Sequence, residues 1–319
     1  MKSALLRVLP LIAAIAGLFL FFSWRIGPGF LSSENLMDLA QQIAVNAILA
    51  LGITFTILIG GIDLSVGSVL ALSGTVTVYL LTVLPGVSGS VFRLGVAVLT
   101  GVGVAGFVGL LNGACISRTK MPPFIVTLAT MLIARGLALS FNDAKPISVP
   151  DAEGLFAAIG NHRVGGLVPV PVLILLGIFA GTTLLLHFTR FGQHLLAIGG
   201  SREAARYTGI AIAPLETLVY VLCGSLAGVA GMIQASQLYM ASPASAEGYE
   251  LSAIAASVVG GTSFRGGVAT TYGTLLGAVV IGILEKGLNQ SEVHFSLKYI
   301  VKGCVILAAV YLDVRRRRV

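Results

Sequence analysis

Apolar residues in this chain recur in runs of about 20, each followed by a short polar interruption, and that length matches the hydrocarbon core of a bilayer. The runs predict membrane-crossing helices over residues 8–24, 43–61, 65–84, 94–115, 123–141, 167–188, 214–236, 250–264, 270–285 and 297–312. Two of them, 250–264 and 270–285, are short for a full crossing. They are expected to be tilted, broken or joined by re-entrant structure. The predicted fold is all-α: one polytopic transmembrane helical bundle over residues 1–319, with about ten spans.

Composition agrees. The chain is 56% hydrophobic and only 10% charged, with a mean hydropathy of +0.97, whereas soluble domains carry about 25% charged residues. The 40 glycines suit helices that must approach closely without help from apolar burial. The net charge of +7 sits in interruptions and at the C-terminus rather than along one face, so topology accounts for it and no nucleic-acid partner is implied. The first run follows Lys2 and Arg7 and has no small-x-small site before Trp24 and Arg25, so it reads as a retained span or signal anchor. Cys115, Cys223 and Cys304 each lie in an apolar run, far apart. They imply neither a disulfide framework nor a zinc site and read as packing residues.

Lys/Arg-rich short loops stay in the cytoplasm. That rule puts Lys2, Arg7, Arg118, Lys120, Arg190, Arg202, Arg206, Arg265 and the run Arg315, Arg316, Arg317, Arg318 inside. Most acids then fall outside: Glu34, Asp38, Asp143, Asp151, Glu153, Glu247, Glu250 and Glu292. Both termini are expected inside. The terminal arginines suit a stop-transfer anchor, or contact with anionic membrane lipid. The longest outer connection, 142–166, contains Pro146 and Pro150; it reads as an exposed loop or as part of an outer docking surface. No segment is long and polar enough for a soluble domain, so any ATP-hydrolysing or ligand-capturing domain must be a separate chain.

No enzymatic constellation is present. His162, His187, His194 and His294 are scattered, without HExxH or a nucleophile partner, and there is no GxxxxGK[ST]. Neither a catalytic residue nor a metal or cofactor site is expected. The informative polar stretch within the membrane is GGIDLSVGS, 60–68. Its Asp63 can cap the third helix through N–H groups near Ser65 and Val66, or line a polar passage. The cap is the preferred reading, and the two roles can coexist. A second glycine-rich break, VGGTSFRGG at 259–267, carries Arg265 and Gly266–Gly267. It reads as a tight helical hairpin or as a contact for a cytoplasmic partner.

Other polar residues inside the runs are mostly uncharged: Asn46, Thr54, Thr56, Asn112, Thr127, Thr130, Ser225 and Gln234. Such groups can pass hydrogen bonds to a neutral polyol, or bond between helices. They argue against a cation channel. The candidate passage residues are Asn46, Asp63, Ser65, Asn112 and Thr127.

The interruption at 189–210, TRFGQHLLAIGGSREAARYTGI, is too polar for hydrocarbon and too patterned for a slack linker. Gly199–Gly200 is expected to break the chain, and Ser201 to cap a short helix over 201–208 with Glu203 in its first turn. Arg202 and Arg206 then share one face, Ala204, Ala205 and Thr208 give a flatter one, and Gly209 ends the helix. Two readings are open on these residues alone: a docking element for another protein, or a solvated turn with ordinary positive-inside arginines.

QQIAVNAILALGITFTILIGGIDLSVGSVLALSG at 41–74 resembles the signature of bacterial ribose-type ABC sugar-importer permeases. PFIVTLATMLIARG at 123–136, the 189–210 stretch and GYELSAIAASVVGGTSFRGG at 248–267 match the same family in the same order, over residues 30–313. The resemblance implies an inner-membrane permease, paired in the importer with a second permease copy or paralogue. It also implies cytoplasmic ABC ATPase subunits that bind the ATP and Mg, and a periplasmic sugar-binding protein. Residues Gly199, Gly200, Ser201, Arg202, Glu203, Ala204, Ala205, Arg206 and Gly209 become the coupling segment that meets the ATPase, so the docking reading prevails. The expected function is passage of a monosaccharide, ribose or a similar pentose or hexose, by alternating access. Rivals are a branched-chain amino acid importer permease, which GGIDLSVGS disfavours, an ion-driven secondary carrier, and a membrane scaffold. Two departures stand out: Ser252 where related permeases commonly carry Asp, and Phe264–Arg265 in place of smaller residues.

Overall fold

A computed structural model describes residues 2–84, 91–150 and 154–316. Of the charges assigned above, Asp151, Glu153, Arg317 and Arg318 lie outside the described residues, as do the side chains of Lys2, Arg7, Arg315 and Arg316. The helices, in order, are α1 (Lys2–Ile26), α2 (Ser33–Leu58), α3 (Val66–Val83), α4 (Val91–Thr119), α5 (Pro123–Ser140), α6 (Leu155–Asn161) and α7 (Val170–Phe188). They continue with α8 (Arg190–Gly200), α9 (Arg202–Tyr207), α10 (Ile212–Gln237), α11 (Tyr249–Val259), α12 (Thr271–Gln290) and α13 (Phe295–Arg316). Among the described residues, 8 helices are long and apolar enough to cross a membrane: α1 to α5, α7, α10 and α12. The exposed side chains of α4, α5 and α7 include Leu99, Phe107, Leu132, Ile133, Leu184 and Phe188, a surface suited to hydrocarbon rather than water. The all-α polytopic expectation stands.

The run 250–264, expected to be short and tilted or broken, holds only a half-length helix: α11 has 11 residues, which reach about 16 Å at 1.5 Å per residue, against a hydrocarbon core of about 30 Å. It stops at Val259, and the chain turns through 260–270 before α12. One expectation changes: Gly199–Gly200 does not break the chain. Helix α8 runs through both glycines, and the break falls at the extended Ser201.

Helices α2 and α10 form the interior. Every residue of α2 from 43 to 58 is buried. Helix α10 packs against α4, α3 and α2 along a stripe of glycines. A Cβ on Gly224 would overlap the Ala105 carbonyl of α4, one on Gly231 the Leu70 carbonyl of α3, and one on Gly109 of α4 the Tyr220 carbonyl of α10. These are backbone-to-backbone contacts, the means by which helices associate where lipid removes the hydrophobic drive. Hydroxyls add a lock between α2, α11 and α12: Thr54 Oγ1 lies 3.0 Å from Ser257 Oγ and 2.7 Å from Thr274 Oγ1.

The end of the bundle beyond α10 is more ordered than a plain loop. Strand β1 (Ile147–Ser148) pairs with β4 (Met240–Ala241), and β2 (Arg163–Val164) with β3 (Val168–Pro169), both antiparallel. Helix α6 is fastened to α10 by Ser236, whose Oγ accepts from the Gly160 N–H at 2.7 Å and donates to the Phe156 carbonyl at 2.6 Å. Between β4 and α11 the backbone is irregular. Arg135 of α5 donates to the carbonyls of Pro243 (2.5 Å) and Ser245 (2.7 Å), supplying partners that a non-helical stretch in a membrane protein lacks.

The glycine stripe makes a direct prediction. Gly109→Ala should lower the thermal stability of the detergent-solubilised chain by about 1–3 kcal/mol, the usual cost of overpacking. Gly103→Ala, in the same helix with open space at its Cβ position, should leave the midpoint unchanged or raise it. Equal effects would contradict the packing assigned to α4 and α10.

Candidate functional site

At the other end of the bundle, three glycine-rich stretches predicted separately come together. Helix α2 stops in a left-handed turn, with the Gly60 φ at 79° and the Gly61 N–H donating to the Thr56 carbonyl at 2.8 Å. The closing turn of α11 repeats this pattern, the Thr262 N–H donating to the Ser257 carbonyl at 3.0 Å. The chain after α11 then returns so that the Gly267 N–H donates to the Leu58 carbonyl at 2.9 Å. Gly199 fills the remaining space: a Cβ there would overlap both the Leu58 carbonyl and the Gly267 nitrogen. The last residue of α2, the last turn of α8 and the α11–α12 connection therefore meet backbone to backbone.

Helix α8 was not expected as a helix. Thr189 begins it, its Oγ1 accepting from the Gly192 N–H at 3.4 Å. Gly192, Leu195 and Ile198 are buried along one stripe, so α8 lies against the bundle with its polar side outward. Helix α9 forms close to the expected bounds. Ser201 Oγ accepts from the Ala204 N–H at 3.2 Å. At the other end, the Ile210 N–H donates to the Ala205 carbonyl at 3.1 Å across Gly209, whose φ is 81°. Both caps are the expected ones.

The faces of α9 are divided differently. Ala205 is buried against the bundle, while Ala204, Arg206, Tyr207 and Thr208 are exposed, Tyr207 to 82%. Glu203 is exposed in the first turn. Arg202 does not simply accompany Arg206. Its guanidinium pairs with the buried Glu216 of α10 at 2.5 Å, whereas Arg206 makes no ion pair among the described residues.

Four of the five candidate passage residues lie close together in the interior beside this end. Asp63 Oδ1 accepts from the Ser65 N–H at 2.9 Å and the Ser65 hydroxyl at 2.6 Å. Asn112 of α4 donates to Ser65 Oγ at 3.1 Å and accepts from the Thr130 hydroxyl at 2.6 Å. Thr127 donates to the Ile62 carbonyl at 3.1 Å, tying α5 to the same break. Asp63 thus holds the turn that leads into α3, through Ser65 and not Val66; Ser65 itself is the N-cap of that helix, and no side chain caps it. Asn46 stands apart: it is buried on α2, and neither amide atom has a partner among the described residues. The Tyr220 hydroxyl, pressed against Gly61, is likewise without one.

Sequence reasoning missed Glu216 and Arg135, two lone charges in apolar runs. That class of residue is rare enough in membrane helices to be a signal in itself. Ser252 has a charged network for its partner. Its hydroxyl donates to Glu285 Oε1 of α12 at 2.7 Å, and Glu285 in turn pairs with Lys302 of α13 at 2.7 Å. An Asp at 252 would set a second negative charge against Glu285.

Comparison with known proteins places this architecture. The family model described as "Branched-chain amino acid transport system / permease component" matches residues 35–310. The chain is 38% identical over 318 residues to the ribose import permease protein RbsC of Escherichia coli (strain K12), covering 99% of this chain and 94% of that protein. It is 42% identical over 288 residues to the ribose import permease protein RbsC of Bacillus subtilis (strain 168), with 90% and 87% covered. Against the xylose transport system permease protein XylH of Escherichia coli (strain K12) it is 32% identical over 380 residues, with 100% and 94% covered. No solved structure matches the chain. With eight apolar helices among the described residues and near full-length relatives of this kind, the protein is a multi-pass membrane protein of this permease family, in its ribose-type sugar-importer branch.

Proposed function

We propose that this chain is the membrane permease subunit of an ATP-driven ABC importer for a monosaccharide, ribose or a similar pentose or hexose. The inference from the ribose and xylose permeases favours sugar over the amino acids in the family's description. The permease lies in the inner membrane as a single domain over 1–319, both termini inside, crossing about ten times if α13 is counted with the longer helices and the short α11 completes one crossing together with the irregular chain before it. Its partners are a cytoplasmic ABC ATPase, which holds the ATP and Mg, a periplasmic sugar-binding protein, and a second permease copy or paralogue. No bond is made or broken on this chain.

The observation that carries this reading is the junction of Leu58, Gly199 and Gly267. The coupling segment, Gly199 to Gly209, stands on the ends of α2 and α11 with no side chain between the backbones. When ATP draws two ATPase subunits together, displacement of α9 passes through α8 to these ends. The passage between two permease copies then changes the side to which it opens. ATP drives the cycle because it binds the two conformations unequally. Arg206 and Tyr207, exposed on α9, supply the contact with the ATPase. Asn46, Asp63, Ser65, Asn112 and Thr127 are the polar residues assigned to the passage. The paired carboxylate of Asp63 makes it also the brace that sets the start of α3.

Arg206→Glu tests the coupling role. The exposed side chain leaves folding within about 0.5 kcal/mol, so membrane insertion and melting midpoint should be unchanged while co-purification of the ATPase is lost. Undiminished recovery of the complex would count against α9 as the docking element. For Asp63, removal of the buried acceptor in Asp63→Ala leaves the Ser65 N–H without its partner and should cost about 1–3 kcal/mol of stability, measured by thermal unfolding in detergent, with Asp63→Asn closer to wild type. Normal stability with lost uptake in both variants would mean that Asp63 serves the passage and not the turn before α3.

A further inference from the structure

We propose that the Arg202–Glu216 ion pair is the strut that carries movement of α9 into α10, which makes Glu216 a positioning residue of the transport cycle. The proposal rests on the reading of α9 as the ATPase contact. Glu216 lies in the second turn of α10, with its side chain 4% exposed, and pairs with Arg202, 54% exposed, at 2.5 Å. An ion pair at the surface contributes little, but a buried carboxylate that loses its partner is left desolvated and unpaired. Helix α9 therefore cannot swing away from α10 without a large penalty, and the two move together.

Other ties between α9 and the bundle are few. Six residues are too short for a helix to stand alone, and Ala205 is its one buried side chain. The pair also has the right direction. Arg202 is at the start of α9, and Arg206 lies one turn on, free to face a partner, so the docking and anchoring roles fall on different residues. What the strut moves is an interior helix: α10 contacts α4, α3 and α2 through glycines that leave no slack. The Leu58–Gly199–Gly267 junction addresses α2 and α11, and the strut addresses α10, so one small helix acts on both parts of the interior.

The test uses the full importer, this chain with its ATPase and binding protein, reconstituted in liposomes. Glu216→Gln, Arg202→Gln and the exchange Arg202→Glu/Glu216→Arg are compared for membrane abundance, ATPase co-purification, ATP hydrolysis and sugar moved per ATP. The single variants should retain the ATPase and hydrolyse ATP, but move at least about tenfold less sugar per ATP, a typical coupling factor. The exchange should restore the ratio. A wild-type ratio in the single variants would overturn the proposal, as would an exchange no better than they are. Where a single variant fails to insert, the exchange decides: insertion regained without the sugar-to-ATP ratio would make the pair merely structural and overturn the strut. Failure of the wild-type chain to retain the ATPase would instead overturn the reading of α9 beneath it.

Discussion

Close approach of backbones is the constraint on which this molecule depends. In lipid, an apolar side chain gains nothing by leaving solvent for a neighbouring helix, so association rests on contact and on hydrogen bonds. The chain meets that condition with glycines where α10 crosses α3 and α4, and with small hydroxyls where α2 meets α11 and α12. Bulky residues fill the interior around α2, among them Ile48, Leu51 and Phe55, and cover the outer faces of α4, α5 and α7. The glycine crossings have little compliance, because a backbone cannot yield as a leucine side chain can.

That stiffness gives the polar end of the molecule its meaning. A six-residue helix displayed on flexible chain could be moved without consequence. Here α9 is capped at both ends, backed by the amphipathic α8, tied to α10 through a buried carboxylate, and joined by α8 to the ends of α2 and α11. The Asp63–Ser65–Asn112–Thr130 chain of hydrogen bonds lies just inside the same junction. A displacement at the surface therefore reaches the polar interior through a few rigid links, which is what a gate driven by a separate motor requires.

What could be read from the residues alone follows the range of the interaction involved. Run lengths gave the long helices. Caps are local, so Ser201 and Gly209 lie where the spacing put them, while Asp63 holds the turn before α3 and does not cap that helix. Helix α8 is hidden in the sequence because its buried stripe is only Gly192, Leu195 and Ile198, too short to show a helical period beside Gly199 and Gly200. The shortness of α11 is legible in its run and in Gly260–Gly261, which follow Val259 where the helix stops. The meeting of Leu58, Gly199 and Gly267 is set by the tertiary fold, and no local pattern signals it. Glu216 and Arg202 are fourteen positions apart, across a turn, and their partnership appears only when α9 folds back. The placement of α6 likewise depends on a serine far along the chain, Ser236.

The central claim is that this permease has no energy source of its own and is moved from the cytosolic side. The direct measurement is sugar accumulation in liposomes, with and without the ATPase and binding protein, in the presence of an ionophore. The account predicts uptake against the gradient only with the complete importer and hydrolysable ATP, unaffected by the ionophore. Accumulation by the chain alone, driven by a proton or sodium gradient and abolished by the ionophore, would contradict it.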